Sequence, residues 1–134
     1  MIEYNQEKKV AIERLKIMFN EVGWNDKSGD VTRLEAMVRN SQIVVTAWDG
    51  DLMVGFARCV TDYVFNGLIN NVVVDLKYRG QGIGKELLTR IVNCDNQVTY
   101  VLRGDPENQG FYKSLGFKQT ELCFVFPRSE RCEI

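Results

Sequence analysis

A β-branched run, three alternating glycines and a helix former follow one another without a break in VVVDLKYRGQGIGKELL, residues 72–88. A continuous run such as Val72–Val74 is expected of a strand buried on both faces. Glycines at 80, 82 and 84 let a backbone turn sharply and come close to a ligand. Behind them Ile83, Leu87, Leu88, Ile91 and Val92 recur at helical spacing, which predicts a helix over about 82–94. A helix start leaves backbone N–H groups unpaired and carries about +0.5 charge. Strand, glycine loop and helix start together make an anion cradle, with Arg79 and Lys85 adding positive charge. A chain with this unit must build a sheet around that strand.

The rest of the chain supplies one. Residues 7–22 read as a helix, with Val10, Ala11, Leu15, Met18, Phe19 and Val22 on one stripe and Gly23 as its stop. A second helix is predicted over 31–40, capped by Asp30 or by Thr32 with Glu35 at capping-box spacing. The period then changes to two. Residues 42–48 and 52–63 form a hairpin about the turn 49–51, FNG (65–67) signals another turn, and 68–75 is a third strand. Beyond the loop come a strand at 97–103, a short helix at 106–116 with Pro106 in its first turn, and a final strand or hairpin at 117–127. This order predicts a mixed α/β (α+β) fold: one central, mostly antiparallel sheet flanked by about four helices. At 134 residues the expectation is a single domain, 1–134.

Composition narrows the function classes. Seventeen basic residues stand against eighteen acidic, which leaves no basic surplus for nucleic acid and no polybasic tail for a membrane. No apolar run is long enough to span a bilayer. The N-terminal MIEYNQEKKV lacks an apolar signal core, so a cytoplasmic protein is expected. Cys59, Cys94, Cys123 and Cys132 are far apart and read as free thiols. The chain has no histidine. Histidine-based nucleophilic catalysis is thereby removed, and no metal is expected.

Counting positions separates the known phosphate loops. A Walker loop would need glycine at Arg79 and Ser or Thr at Glu86, and a dinucleotide fingerprint would need glycine at Lys85. The pattern that fits is [QR]-x-x-G-x-[GA], met by Arg79-Gly80-Gln81-Gly82-Ile83-Gly84. With its preceding strand and following helix, this stretch resembles the coenzyme motif of the GNAT superfamily of N-acetyltransferases. One departure is Leu76, where relatives often carry proline. A second stretch, ENQGFYKSLGF (107–117), is similar to the family signature N-x-x-F-Y-x-x-x-G-F, with Asn108, Phe111, Tyr112, Gly116 and Phe117 in place. On a helix Asn108 and Tyr112 share a face.

The resemblance, over roughly residues 52–127, implies a function. The strand at 72–74 splays from the one at 97–102, and the coenzyme's pantetheine slots between them. The cosubstrate is acetyl-CoA, held by Val72, Val73 and Val74, by Arg79, Gly80, Gln81, Gly82, Ile83, Gly84 and Lys85, and by Asn108, Phe111 and Tyr112. The backbone N–H of Val72 or Val74 stabilises the oxyanion, and Tyr112 is the general acid that protonates the departing thiolate. The implied activity is acetyl transfer to a primary amine of a small molecule or peptide in a ternary complex. A CoA-binding module without catalysis is the alternative. Trp24, which can stack on an acceptor or cover the core, and Arg58, which can face an anionic substrate group or solvent, are candidate acceptor-binding residues. The family leaves no clear general base here, and Glu21, Asp62, Asp75 and Asp105 are the carboxylate candidates. A monomer or a homodimer is expected.

Overall fold

The computed structural model describes residues 1–24 and 30–128. Cys132 and the end of the chain lie outside that range. Five strands form one sheet in the order of the sequence, β1 (Ile2–Asn5), β2 (Ile43–Asp49), β3 (Leu52–Thr61), β4 (Asn66–Val74) and β5 (Thr99–Val101). The first three neighbouring pairs are antiparallel and β4–β5 is parallel. Helices α1 (Ile12–Glu21) and α2 (Val31–Asn40) cover one face. Helix α3 (Ile83–Val92) and the short α4 (Gln109–Ser114) lie on the other.

Two cores follow from the alternation of the strands. Val44, Trp48, Met53, Phe56 and Val73 meet Leu15, Met18, Phe19, Leu34 and Val38 of α1 and α2. Val45, Ala47, Val54, Ala57, Cys59 and Ile69 meet Ile83, Leu87, Leu88 and Ile91 of α3. A large apolar side chain buried in this way is worth about 1.5–3 kcal/mol. Gly55 sets how closely α3 can approach. A Cβ there would lie 3.0 Å from Ile83 Cγ2 and 3.2 Å from Leu87 Cδ1, so β3 carries no side chain where the helix crosses.

Local chemistry moved several boundaries. The helix expected from residue 7 begins at Ile12, because Asn5 Oδ1 accepts from the N–H groups of Glu7 and Lys9 and Lys8 sits at φ 61°. That turn follows β1, a four-residue strand too short to show a period in the sequence. Asp30 is the cap of α2, accepting from Arg33 N at 3.1 Å. The turn placed at FNG falls earlier: Asp62 Oδ1 accepts from the N–H groups of residues 64, 65 and 66, so Asn66 and Gly67 already belong to β4. Pro106 opens a 3₁₀ turn, Pro106–Asn108, before α4.

Residues 117–127 form neither strand nor hairpin. Leu122, Phe124 and Phe126 are exposed, and so is Val125 on the opposite parity. A segment apolar on both parities has no face to choose, and β5 offers only a three-residue edge to fix its register.

Candidate active site

The site starts at a fault in β4. Phe56 of β3 pairs with Val73 and Arg58 pairs with Asn70, so Ala57 stands opposite two residues, Asn71 and Val72. This is a β-bulge. Asn71 absorbs it in a left-handed conformation, φ 54°, which Asn tolerates better than most residues. Its N–H is held by Asn70 Oδ1 at 2.9 Å, and its own Oδ1 accepts from Arg58 Nε at 2.8 Å.

Past the bulge β4 stands free of β5. The parallel pairing runs only from Asn66 with Thr99 to Leu68 with Val101, while β4 continues to Val74. Among the described residues, 69–74 therefore have no strand beside them on that edge. Asp75 N donates to Val54 O at 2.8 Å, toward β3. Backbone direction alternates along a strand, which turns the N–H groups of Val72 and Val74 toward the vacated edge. The vacancy also corrects one expectation: Val73 is buried, but Val72 and Val74 are only half-buried.

The glycine loop closes the end of this edge. A 3₁₀ turn, Leu76–Tyr78, leads into it. Gly80 and Gly82 both take φ 81°, a conformation costly to other residues. Gly82 is the N-cap of α3 and offers no side chain to the helix start. The first helical bond is Glu86 N to Gly82 O at 3.1 Å, so the N–H groups of Ile83, Gly84 and Lys85 precede the ladder and are available to a ligand. Arg79, Gln81 and Lys85 are exposed around them. Ile83 is different, since its side chain is buried beneath Gly55 and only its backbone can serve.

Gly84 joins the loop to the rest. A Cβ on it would lie 3.5 Å from Phe111 Cζ and 3.8 Å from Val74 Cγ2. Phe111 packs edge-on against Tyr112 with ring centroids 5.3 Å apart. Phe111 therefore links the tip of β4 and the start of α3 to Tyr112. The Tyr112 ring is half-buried, and its hydroxyl makes no hydrogen bond to the described residues. Burial, and less strongly the charge of Asp105, push its pKa up, so the phenol stays protonated at neutral pH. Asn108 is exposed one residue before α4.

Gly104 fixes the Tyr112 ring. A Cβ at 104 would sit 2.5 Å from Tyr112 Cε2 and 2.8 Å from Cδ2. Gly104→Ala must push the ring away. It should lower turnover about ten-fold, as a misplaced catalytic group does, with a small change in urea midpoint. Unchanged turnover in a steady-state assay would show that the ring position is immaterial.

The four carboxylates fare differently. Asp75 is buried and ion-paired with Arg14, whose Nε also donates to Met53 O at 2.9 Å. Burial pushes the Asp75 carboxyl up, but bonds from Lys77 N and Arg14 outweigh this and hold it below the usual range. It ties α1 to the end of β4 and is occupied as a base. Asp62 is bound by its turn, whose N–H groups lower its pKa. Glu21 is exposed at the end of α1, and Asp105 lies beside Tyr112. The buried Cys59 thiol is pushed up to about 11 by burial and is no nucleophile at neutral pH. Cys94 and Cys123 are likewise free. Trp24 packs edge-on against Phe19 at 5.1 Å, which makes it a lid on the α1 core.

A separate cavity of about 740 Å³ lies between β5, α4 and the extended segment 117–126. Tyr112 borders it, but the glycine loop and Val72–Val74 do not. It is the space left by the unpaired C-terminal segment.

The family profile for the acetyltransferase (GNAT) domain matches residues 39–119, more than half of the chain. The chain belongs to the GNAT family. An uncharacterized N-acetyltransferase ycf52-like protein of Prochlorococcus marinus is 29% identical over 96% of this chain and 71% of its own length. A longer relative in Arabidopsis thaliana, GCN5-related N-acetyltransferase 2, chloroplastic, is also 29% identical, and here the match spans 82% of this chain but only 51% of the relative. Among solved structures, a GNAT-family acetyltransferase of Streptococcus pneumoniae superposes with TM-score 0.74 at 26% identity, covering 96% of this chain and all of that one. A Clostridium acetobutylicum predicted acetyltransferase solved with acetyl-CoA gives TM-score 0.71 at 17% identity, covering 95% and 96%. The fold is that of the GNAT acetyltransferases, and the chain is an acyltransferase by family. No helix among the described residues is long and apolar enough to cross a membrane.

Sequence reasoning notes Asn70 and Asn71 only as supplying no base before the valine run, and does not single out Ser41, Arg14 or Gly104. Only Asn71 left a trace: two asparagines interrupt an apolar strand, which is a bulge signal.

Proposed function

We propose that this chain, as one domain over 1–134, transfers the acetyl group of acetyl-CoA to a primary amine of a small molecule or peptide, directly in a ternary complex. The observation that carries the reading is the closeness of Gly84 to both Val74 and Phe111, each within 4 Å of where a Cβ on it would stand, which brings an anion cradle, an open strand edge and the ring beside Tyr112 together. The residues fit the cosubstrate. Uncapped N–H groups at Ile83, Gly84 and Lys85 suit a pyrophosphate, with Arg79, Gln81 and Lys85 beside them. The vacant edge of β4 suits an extended pantetheine, bonded as a strand would be. Asn108 offers an exposed amide to the same ligand.

Acetyl-CoA supplies the activated acetyl group. The N–H of Val72 or Val74 holds its carbonyl oxygen and the negative charge that develops there. Tyr112 Oη gives its proton to the departing thiolate, a base of comparable strength. An amine of modest pKa needs no protein base. The reading carries a cytoplasmic location with it, and fractionation of cells expressing the tagged protein tests that part.

Acetyl-CoA should raise the melting temperature more than ATP or NAD does, and thiol release should require an added primary amine. Tight coenzyme binding with no thiol release on any amine would make the protein a CoA-binding module. A larger shift with a nucleotide would overturn the coenzyme assignment itself.

A further inference from the structure

The α1/α2 face of the sheet holds a half-buried cation with no counter-ion among the described residues. Arg58 projects from β3 beside Phe56 on this face, and its Nε donates to Asn71 Oδ1 at 2.8 Å while Nη1 reaches Ser41 Oγ at 3.4 Å. Ser41 ends α2, and its hydroxyl donates to Met37 O at 2.7 Å. Both partners are buried and neutral. The other two partly buried guanidinium groups have carboxylates, Arg14 with Asp75 and Arg90 with Glu86. Arg58 pairs with none among the described residues, and Nη2 has no partner there at all.

Withdrawing a guanidinium from water without an opposite charge is costly, and burial lowers the pKa of Arg58 accordingly. The chain also holds Asn71 in a left-handed conformation to support it. A group that only braced two neutral side chains could be a glutamine. A planar fork with both N–H groups of Nη2 and one of Nη1 uncommitted among the described residues is suited to a carboxylate or phosphate.

Its place gives that anion a role. Asn71 is the neighbour of Val72 in sequence, and adjacent Cα atoms are about 3.8 Å apart. Arg58, bonded to Asn71, therefore lies beside the strand edge assigned to the acetyl carbonyl. We propose that Arg58, supported by Ser41 and Asn71, binds an oxyanion carried by the acceptor, so that the preferred substrate is a primary amine with a carboxylate or phosphate a few bonds away. The inference rests on the acetyltransferase reading and names its acceptor class.

Matched acceptor pairs test it: O-phosphoethanolamine against ethanolamine for phosphate, and an α-amino acid against its amide for carboxylate. Thiol release is followed with acetyl-CoA saturating. The anionic member of at least one pair should have the higher kcat/KM by about 10- to 100-fold, the usual worth of a charge-assisted contact. The pair that shows it tells phosphate from carboxylate. Arg58→Gln should remove the preference while leaving the KM for acetyl-CoA within about two-fold, and Arg58→Lys should restore part of it. Inorganic phosphate should compete with the anionic acceptor and not with acetyl-CoA.

A purely bracing Arg58 would lower both members of a pair equally on substitution, and that result overturns the proposal. So does equal wild-type use of charged and neutral amines, which leaves the acetyltransferase reading standing. Failure of acetyl-CoA to bind at all would take down both.

Discussion

Tyr112→Phe should lower kcat by about 10²-fold or more, the usual contribution of a positioned proton donor, while the Kd for acetyl-CoA stays within about three-fold. The two effects separate because the ring and the hydroxyl do different things. The ring is wedged between Gly104 and Phe111 and packs near Phe117, with centroids 6.2 Å apart. Phenylalanine keeps those contacts. The hydroxyl has no partner among the described residues, so its loss leaves no buried group unsatisfied. Stability should hardly move, and any fall in kcat then reports the lost proton. The pH profile offers a second check. The Tyr112 pKa is raised above the ordinary phenol value of 10.0, so rate lost through its ionisation should appear only above that pH. An unchanged kcat in the Phe variant would remove Tyr112 from the chemistry.

Gly82→Val should weaken acetyl-CoA binding by more than about ten-fold. Space inside the protein is not the obstacle, since nothing lies within 4 Å of a Cβ at that position. The obstacle is φ 81°, which costs an L-residue about 1–2 kcal/mol and a β-branched one more. The loop relieves the strain by leaving the conformation that aims the first N–H groups of α3 outward. Gly23→Val is the matched control. Gly23 has φ 83° and open space around its Cβ, but it follows α1. It should show a similar drop in urea midpoint with coenzyme affinity kept. Isothermal titration on both variants decides: retained affinity in Gly82→Val would place the pyrophosphate elsewhere.

Much of this architecture was legible before any coordinates. The stripes of α1 and α3 and the hairpin about Gly50 follow from side-chain period and backbone sterics within a few residues, while residue type leaves the cap of α2 between Asp30 and Thr32 and the fold selects Asp30. The vacated edge between β4 and β5 came from family likeness rather than from spacing, and the sheet has it. The last strand was misjudged for a physical reason: strand propensity in CFVFP says nothing about whether an edge is there to receive it. The short β1 was missed because four residues carry too little pattern.

Sequence alone determined the central sheet, the glycine-led helix start and the absence of histidine. These depend on residue type and on near neighbours. Tertiary structure decided what depends on register. The bulge sets Asn71 under Arg58, the fold carries Arg14 across 61 residues to Asp75, and Gly104 makes room for a ring eight positions later. Pairings of that kind are fixed by how strands and helices stack, and no local pattern encodes them.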